Sequence, residues 1–468
     1  MIALLLTAQL WNASTPAGAT LAQAEPPTAI QPFQPEVSDL LLASLPPAPV
    51  QVGSWDEAFE LLRQRSTDLR VALAQVEAAA GQRRAALAGL LPALNGSVSV
   101  QYNVLDPDST PVLGGGGVGG GIGGGTGATG GTTSPLGTAV LTAAVPLFNL
   151  RAIQSLRSAN ASRRAAELSL DETRRQLTGA LARALARVAS SERLSEVNRV
   201  NLRSALERLA LAQRRLELGA GTQLDVIRLR QDAESARLAV VSGDESLRQA
   251  RDTLGLVLGQ EQPVGLSRGV SLEELLQRGQ QECRRVEGVE ARADVAAARA
   301  RLEAAERNVS AAQAQYWPTL DAQSTALALT VDPGFARVPV WNIGAVLSVP
   351  LYAGGGRGAL VQQARAQEEA IRQEVVSRQR AASVEVTQTQ REVDVARAER
   401  EIAARARELA AENDRLTRRA FEVGAGTSQD LVVSAAALRQ AELNLVVSEF
   451  QLFQARMEAF LAEAACDW

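Results

Sequence analysis

The side chains able to do chemistry in this chain are few in kind. All 48 of its basic residues are Arg, and His is absent. Without Lys there is no phosphate-cradling P-loop lysine and no Schiff base. Without His, the commonest zinc ligand and the usual base of a nucleophilic triad are both missing. Cys283 and Cys466, the two cysteines, are too few for a metal cluster. Carboxylates remain, and the two in the most informative setting are Asp225 and Asp430. They close near-identical phrases, Gly219-Ala220-Gly221-Thr222 with Asp225 and Gly424-Ala425-Gly426-Thr427 with Asp430, set 205 residues apart. In each, the first Gly can take the left-handed conformation that ends a helix, and the second keeps the turn small. The Thr then suits an N-cap and the Asp its third helical position, as in a capping box. The phrase therefore reads as a helix that ends, reverses and restarts. No enzyme and no cofactor site is expected.

The surrounding elements explain why a reversal is needed. Residues 1–24 read as an export signal, with an apolar run at Ile2–Leu6 and a cleavage pattern at Ala22-Gln23-Ala24. Residues 25–53 hold seven prolines and read as an extended or disordered leader. A first unit spans 54–260. It opens with a helix from the N-cap Ser54 to about Leu91, ended by Pro92. A hairpin over 95–146 follows. In its first strand, Val98, Val100, Tyr102 and Val104 alternate with Ser97, Ser99, Gln101 and Asn103. A glycine-rich loop, 113–131, separates it from a second strand near Thr138–Val145. A helical run of about 70 residues then leads to the reversal at 217–225; at 1.5 Å per residue it spans about 100 Å. A second unit, 261–468, repeats this order, with a helix from Ser271, a hairpin over 319–350, a second long helical run and the reversal at 422–430.

Spacing supports the duplication. Pro146 to Gly219 is 73 residues and Pro350 to Gly424 is 74, whereas Pro92 to Pro146 is 54 and Pro318 to Pro350 only 32. The helical length is held while the loop between strands varies, as expected of a loop in solvent and of a helix spanning a fixed distance. The chain is thus mainly α with a small β part of four strands. Four strands cannot close a barrel, and an open sheet edge cannot sit in lipid. If these strands cross a membrane, several chains must share one barrel. Tyr102, Phe148, Trp317, Trp341 and Tyr352 fall near strand ends, as an interfacial aromatic belt requires. A soluble β-layer against helices is the alternative. No run of 18 uninterrupted apolar residues predicts a spanning helix, and a net charge of -4 gives no sign of nucleic acid.

Residues 54–462 resemble the TolC-type outer-membrane efflux proteins, the outer membrane factors. The resemblance rests on the junctions Leu91-Pro92-Ala93-Leu94, Trp317-Pro318-Thr319-Leu320, Val145-Pro146-Leu147-Phe148 and Val349-Pro350-Leu351-Tyr352, and on the two reversals. It implies a homotrimer with a shared 12-stranded barrel in outer-membrane lipid and an α-barrel tunnel through the periplasm. The implied partners are a periplasmic adaptor, which would dock on the tips Gly219–Thr222 and Gly424–Thr427, and an energised inner-membrane pump of a tripartite efflux or type I secretion system. Asp225 and Asp430 become gate candidates, and three copies of Asp430 would form a cation-favouring ring. Relatives carry a second Asp three residues further on, where this chain has Val433, and some carry a clamping Arg where it has Gly426. The same ionic latch is therefore not expected. The resemblance sets Cys283 and Cys466 near the tunnel's midsection, where the periplasm permits a disulfide; two free thiols are the alternative. The rival reading is a soluble periplasmic coiled-coil or adaptor protein without a pore.

Overall fold

In the computed structural model the described residues are 36–102, 104, 135–267, 271–330 and 340–468. The expected signal segment, the glycine-rich loop and the turn of the second hairpin lie outside them. The elements run β1 (Val50–Val52), α1 (Trp55–Arg65), α2 (Thr67–Ala88), β2 (Ala93–Gln101), β3 (Leu136–Phe148), α3 (Leu150–Glu217), α4 (Gln223–Val257), β4 (Val264–Leu266), α5 (Leu272–Gln281), β5 (Arg284–Arg285), α6 (Ala293–Gln313), β6 (Thr319–Leu329), β7 (Val340–Ser348), α7 (Gly356–Glu422), α8 (Ser428–Leu461) and β8 (Ala464–Ala465).

The two expected entry helices are each broken. Ser66 ends α1 and caps α2 at once: its backbone leaves the helical region and its hydroxyl accepts from Leu69 N. In the second unit the chain leaves the helix after Gln281, passes Gly288 at φ 83°, and re-enters at Ala293. The long helices α3 and α7 are continuous over 68 and 67 residues. Strand β3 runs through Pro146, which a register irregularity between Pro146 and Phe148 accommodates.

Both hairpins join in one antiparallel sheet ordered β2-β3-β6-β7. Paired residues share a face, so the register sorts the side chains. One face carries rows such as Leu94, Ala143, Ser324 and Ile343, or Gly96, Leu141, Ala326 and Trp341, and Ser324 is the polar side chain in these rows. Trp341 Nε1 donates to that Ser324 hydroxyl at 2.9 Å, leaving neither polar group unpaired. The opposite face is mixed: Asn95, Thr142, Thr325 and Asn342 form a polar row across all four strands, and the next row is Ser97, Val140, Leu327 and Val340. Every residue of the edge strands β2 and β7 is exposed.

The helices continue this order. Below the sheet α2 packs on α3, α3 on α6 and α6 on α7; further down α4 packs on α3, α3 on α8 and α8 on α7. Helix α7 is therefore an edge. It buries Val375, Ala382, Thr389 and Ala396 at seven-residue spacing against its neighbours. A second seven-residue stripe, Val395, Ile402, Leu409, Leu416 and Val423, is exposed. Such a heptad stripe is what a helix presents to a partner helix. Contrary to the expectation of no spanning helix, α8 is long and apolar enough over Ser428–Ala462 to cross a bilayer by composition, with Arg439, Glu442 and Glu449 interrupting its apolar run. Here it packs between α3 and α7.

The main core lies at mid-height, where Trp55, Leu62, Leu181, Leu254, Leu275 and Met457 meet. There Cys283 and Cys466 are joined in a disulfide, and β5 pairs with β8. The described part of the proline-rich leader is folded onto this body. Asp39 caps the short 3₁₀ turn Leu40–Leu42 and pairs with Arg237 of α4 at 2.8 Å, and β1 pairs in parallel with β4. Prolines suit such docking because they bring no N–H that needs a partner.

Candidate functional site

The two helix reversals lie side by side at the far end of the helical body. At the first, Gly219 takes φ 72° and the last turn closes with Gly219 N donating to Leu216 O and Ala220 N to Arg215 O. At the second, Gly424 takes φ 81°, with Gly424 N on Phe421 O and Ala425 N on Ala420 O. Both are Schellman closures that satisfy carbonyls otherwise orphaned at a helix end. A side chain at either glycine would hold an L-residue in the left-handed region, at about 1–2 kcal/mol. A Cβ at Gly221 or Gly426 would approach the preceding helix backbone to 3.1 and 3.0 Å, so the turn is closed to larger residues. Thr222 and Thr427 then cap α4 and α8, and Asp225 and Asp430 complete a capping box in each.

The resemblance between the tips ends at their surroundings. Arg215 reaches from the first tip to the second: its Nη1 donates to Phe421 O at 2.6 Å and its guanidinium sits 4.6 Å from the Phe421 ring centroid. Ala212, Val226, Leu229, Phe421 and Leu431 form a small apolar core beneath. Ser428 is buried at the junction, within 3.5 Å of Arg228 Nη1. Asp225 faces the same junction. The Ser428 hydroxyl first, and Thr222 second, hold its carboxyl below the usual carboxylate range. Asp430 instead is exposed, and its carboxyl is lowered by Thr427 alone, through the hydroxyl at 2.6 Å and the backbone N at 3.2 Å. The two gate candidates thus differ: both carboxylates close a capping box within their own chain, but Asp225 also faces the buried Ser428, whereas Asp430 is exposed. Among the described residues no cluster of His, Cys, Asp or Glu is placed to hold a metal.

Sequence reasoning did not find Arg215, Phe421 or Ser428. Arg215 lies four residues before Gly219, where the second tip has Ala420, and that asymmetry was the available signal. A clamp between tips is therefore present, but from a position other than the one the resemblance pointed to.

The tips give a pH prediction. A carboxyl whose native pKa is depressed stabilises the fold above its unfolded value of about 3.9, and this contribution fades as pH falls through the native value. The Asp225 box should therefore loosen below about pH 4. Amides near Thr222 and Ser428 should then exchange faster than their intrinsic rates predict, and Asp225→Asn should remove that pH dependence.

Known proteins share this architecture. The family model for outer membrane efflux proteins matches residues 58–260 and 288–459. The fusaric acid resistance protein FusA of Burkholderia cepacia is 27% identical over 165 residues, a match spanning 31% of this chain and 28% of that protein. Among solved structures, the outer membrane protein VceC of Vibrio cholerae superposes with TM-score 0.69 at 20% identity, covering 87% of this chain and 95% of that one. The MtrE outer membrane channel of Neisseria gonorrhoeae gives 0.69 at 18%, covering 92% and 93%. The chain belongs to the outer membrane efflux protein family. Its place is accordingly the outer membrane, with the helices forming a periplasmic tunnel, and its family and fold are those of channel proteins rather than enzymes.

Proposed function

We propose that three copies of this chain assemble into a passive export duct, with one 12-stranded barrel in the outer membrane and an α-barrel tunnel below it. The observation that carries this is the sheet: four strands, one apolar face, an opposite face with a polar row across all four strands, and two edges unpaired among the described residues. Edges in lipid must be paired, so β7 of one copy would meet β2 of the next. Two copies would give eight strands, whose interior side chains fill. Three copies give twelve and leave an aqueous lumen lined by the row containing Asn95 and Asn342. The exposed stripe on α7 supports the same closure below, since covering each Leu, Ile or Val there is worth about 1.5–3 kcal/mol.

Energy must come from elsewhere, as no phosphate-binding lysine exists in the chain. The reading therefore includes an inner-membrane pump and a periplasmic adaptor that meets the small-residue tips Gly219–Thr222 and Gly424–Thr427. The exposed Asp430 would contribute a ring of three carboxylates near the tunnel's end. A soluble coiled-coil protein is disfavoured, because it has no use for a sheet exposing Val98, Trp341, Ile343 and Leu347 on one face.

Planar-bilayer recording of the purified protein tests this. Discrete cation-preferring channels are expected, and Asp430→Ala should reduce the preference for cations over anions severalfold. Unchanged selectivity would remove Asp430 from the gate, and absence of conductance from protein shown to be trimeric would count against a duct.

A further inference from the structure

The duplication leaves one helical groove crossed by the leader, with a cavity of about 640 Å³ still beside it, and its twin uncrossed among the described residues. On the first helical hairpin, residues 43–48 run across the cleft between α3 and α4. Arg199 Nε donates to Ala43 O at 2.9 Å and Arg251 Nη1 to Pro46 O at 2.9 Å. Ser44, Leu45, Pro47 and Ala48 form one wall; Glu192, Ser195, Glu196, Leu247 and Arg251 are on the helices facing them. Each of these five positions recurs 205 residues later, the spacing that separates Gly219 from Gly424, as Arg397, Arg400, Glu401, Leu452 and Arg456. Those five line an open cleft of about 580 Å³ between α7 and α8. Among the described residues no leader-like segment crosses it; Glu273 and Leu276 of α5 form its far wall. The reason is topological. The leader precedes α1, whereas the chain preceding α5 is taken up by α4 and β4.

Exposure follows this difference. The side chains of Arg251 and Asp244 are 12% exposed each, whereas their counterparts Arg456 and Glu449 are 37% and 43% exposed. A second cleft, of about 510 Å³, shares Leu276 and Arg456 with the first and extends it along α7 to Gln390. From Glu401 to Gln390 is about 16 Å of helix, room for about five extended residues.

We propose that the α7–α8 cleft docks an extended, proline-containing, acidic segment of a partner protein, seated as residues 43–48 are seated on α3–α4. Leu452 keeps the apolar floor of Leu247, and Arg456 keeps the guanidinium that donates to a leader carbonyl at Arg251. Proline suits the occupant because its missing N–H leaves nothing unpaired against an apolar floor. Acidity follows from the change between the two grooves: Glu192 and Ser195 become Arg397 and Arg400 while Arg199 becomes Ala404, a net gain of two positive charges on the helices, of which Glu273 of α5 offsets one. Arg456 and Arg400 are held meanwhile by Glu273 at 3.3 Å and Glu449 at 3.9 Å. Half-exposed pairs of this kind are worth little and yield readily to an incoming carbonyl or carboxylate. The site does not depend on the pore reading.

The test uses two fluorescent nonapeptides added to the full-length protein in detergent: LASLPPAPV, the sequence of residues 42–50, and the same peptide with Glu in place of Ser. Anisotropy should show saturable binding of one peptide per chain, tighter for the Glu peptide. Leu452→Glu or Arg456→Glu should weaken it by about tenfold or more, equivalent to ~1.4 kcal/mol. Arg397→Glu, on the exposed rim, is the variant least able to disturb folding and should selectively weaken the Glu peptide. No saturable binding, or binding indifferent to all three substitutions, would overturn the proposal. So would a photo-cross-linker at Leu452 that, in intact cells, captures only another copy of this chain.

Discussion

Ile343→Arg should nearly abolish recovery of trimers from the outer membrane, while Asn342→Arg, one residue away, should leave it largely intact. Ile343 is 75% exposed and shares its row with Leu94, Ala143 and Ser324. If that face meets lipid, each Arg near the bilayer midplane is disfavoured by about 2–4 kcal/mol, and the assembly meets that penalty once per copy. Asn342 lies on the opposite face in the row with Asn95, Thr142 and Thr325, where water would solvate a guanidinium. Fractionation followed by unheated gel electrophoresis measures both. Equal recovery of the two variants would mean that the apolar face does not face lipid.

The second large effect concerns the disulfide. Cys283 and Cys466 are 183 residues apart. Closing a loop of that length removes denatured-state entropy equivalent to about 5 kcal/mol in the chain-entropy description. The bond also sits where the C-terminal tail is anchored. Strand β8 pairs with β5, the Trp468 ring lies 4.7 Å from Phe59, and Trp468 Nε1 donates to Thr178 Oγ1 at 3.1 Å. Reductant should therefore lower the thermal midpoint of the wild-type protein by several degrees. It should leave a Cys283→Ser, Cys466→Ser variant unmoved at the lower midpoint. Identical melting of oxidised and reduced wild type would show that the bond contributes nothing to stability.

Local signals carried much of this architecture into the sequence. Pro92 and Pro318 mark where the helices give way to strands, although α2 already ends at Ala88 and α6 at Gln313. The period-2 alternation around Val98 and around Ile343, the paired glycines and the Thr-Asp boxes of the tips are each features of a few consecutive residues. The four strands, two long helices and two reversals were legible for that reason. What was not legible depends on contacts distant in sequence. Nothing local to Ser66 says that one serine will end a helix and start another. The β3–β6 pairing that unites the hairpins joins strands from different units. The Arg215–Phe421 clamp spans 206 residues. The leader's proline content signals extended chain, but its docking depends on Arg199, Arg237 and Arg251, far along α3 and α4. At the site, the capping role of Asp225 and Asp430 could be read from spacing, whereas their different surroundings could not, because the two phrases are nearly the same.

The measurement that most directly tests the shared barrel is an inter-copy disulfide. Gly344 on β7 is exposed with open space around a Cβ, so Gly344→Cys can be combined with single cysteines scanned along β2 from Ala93 to Gln101. In outer membranes under mild oxidation, at least one pairing should give covalent dimers and trimers, with no larger species. Absence of cross-linking at every position, or recovery of the chain as soluble periplasmic monomers, would contradict the trimeric duct.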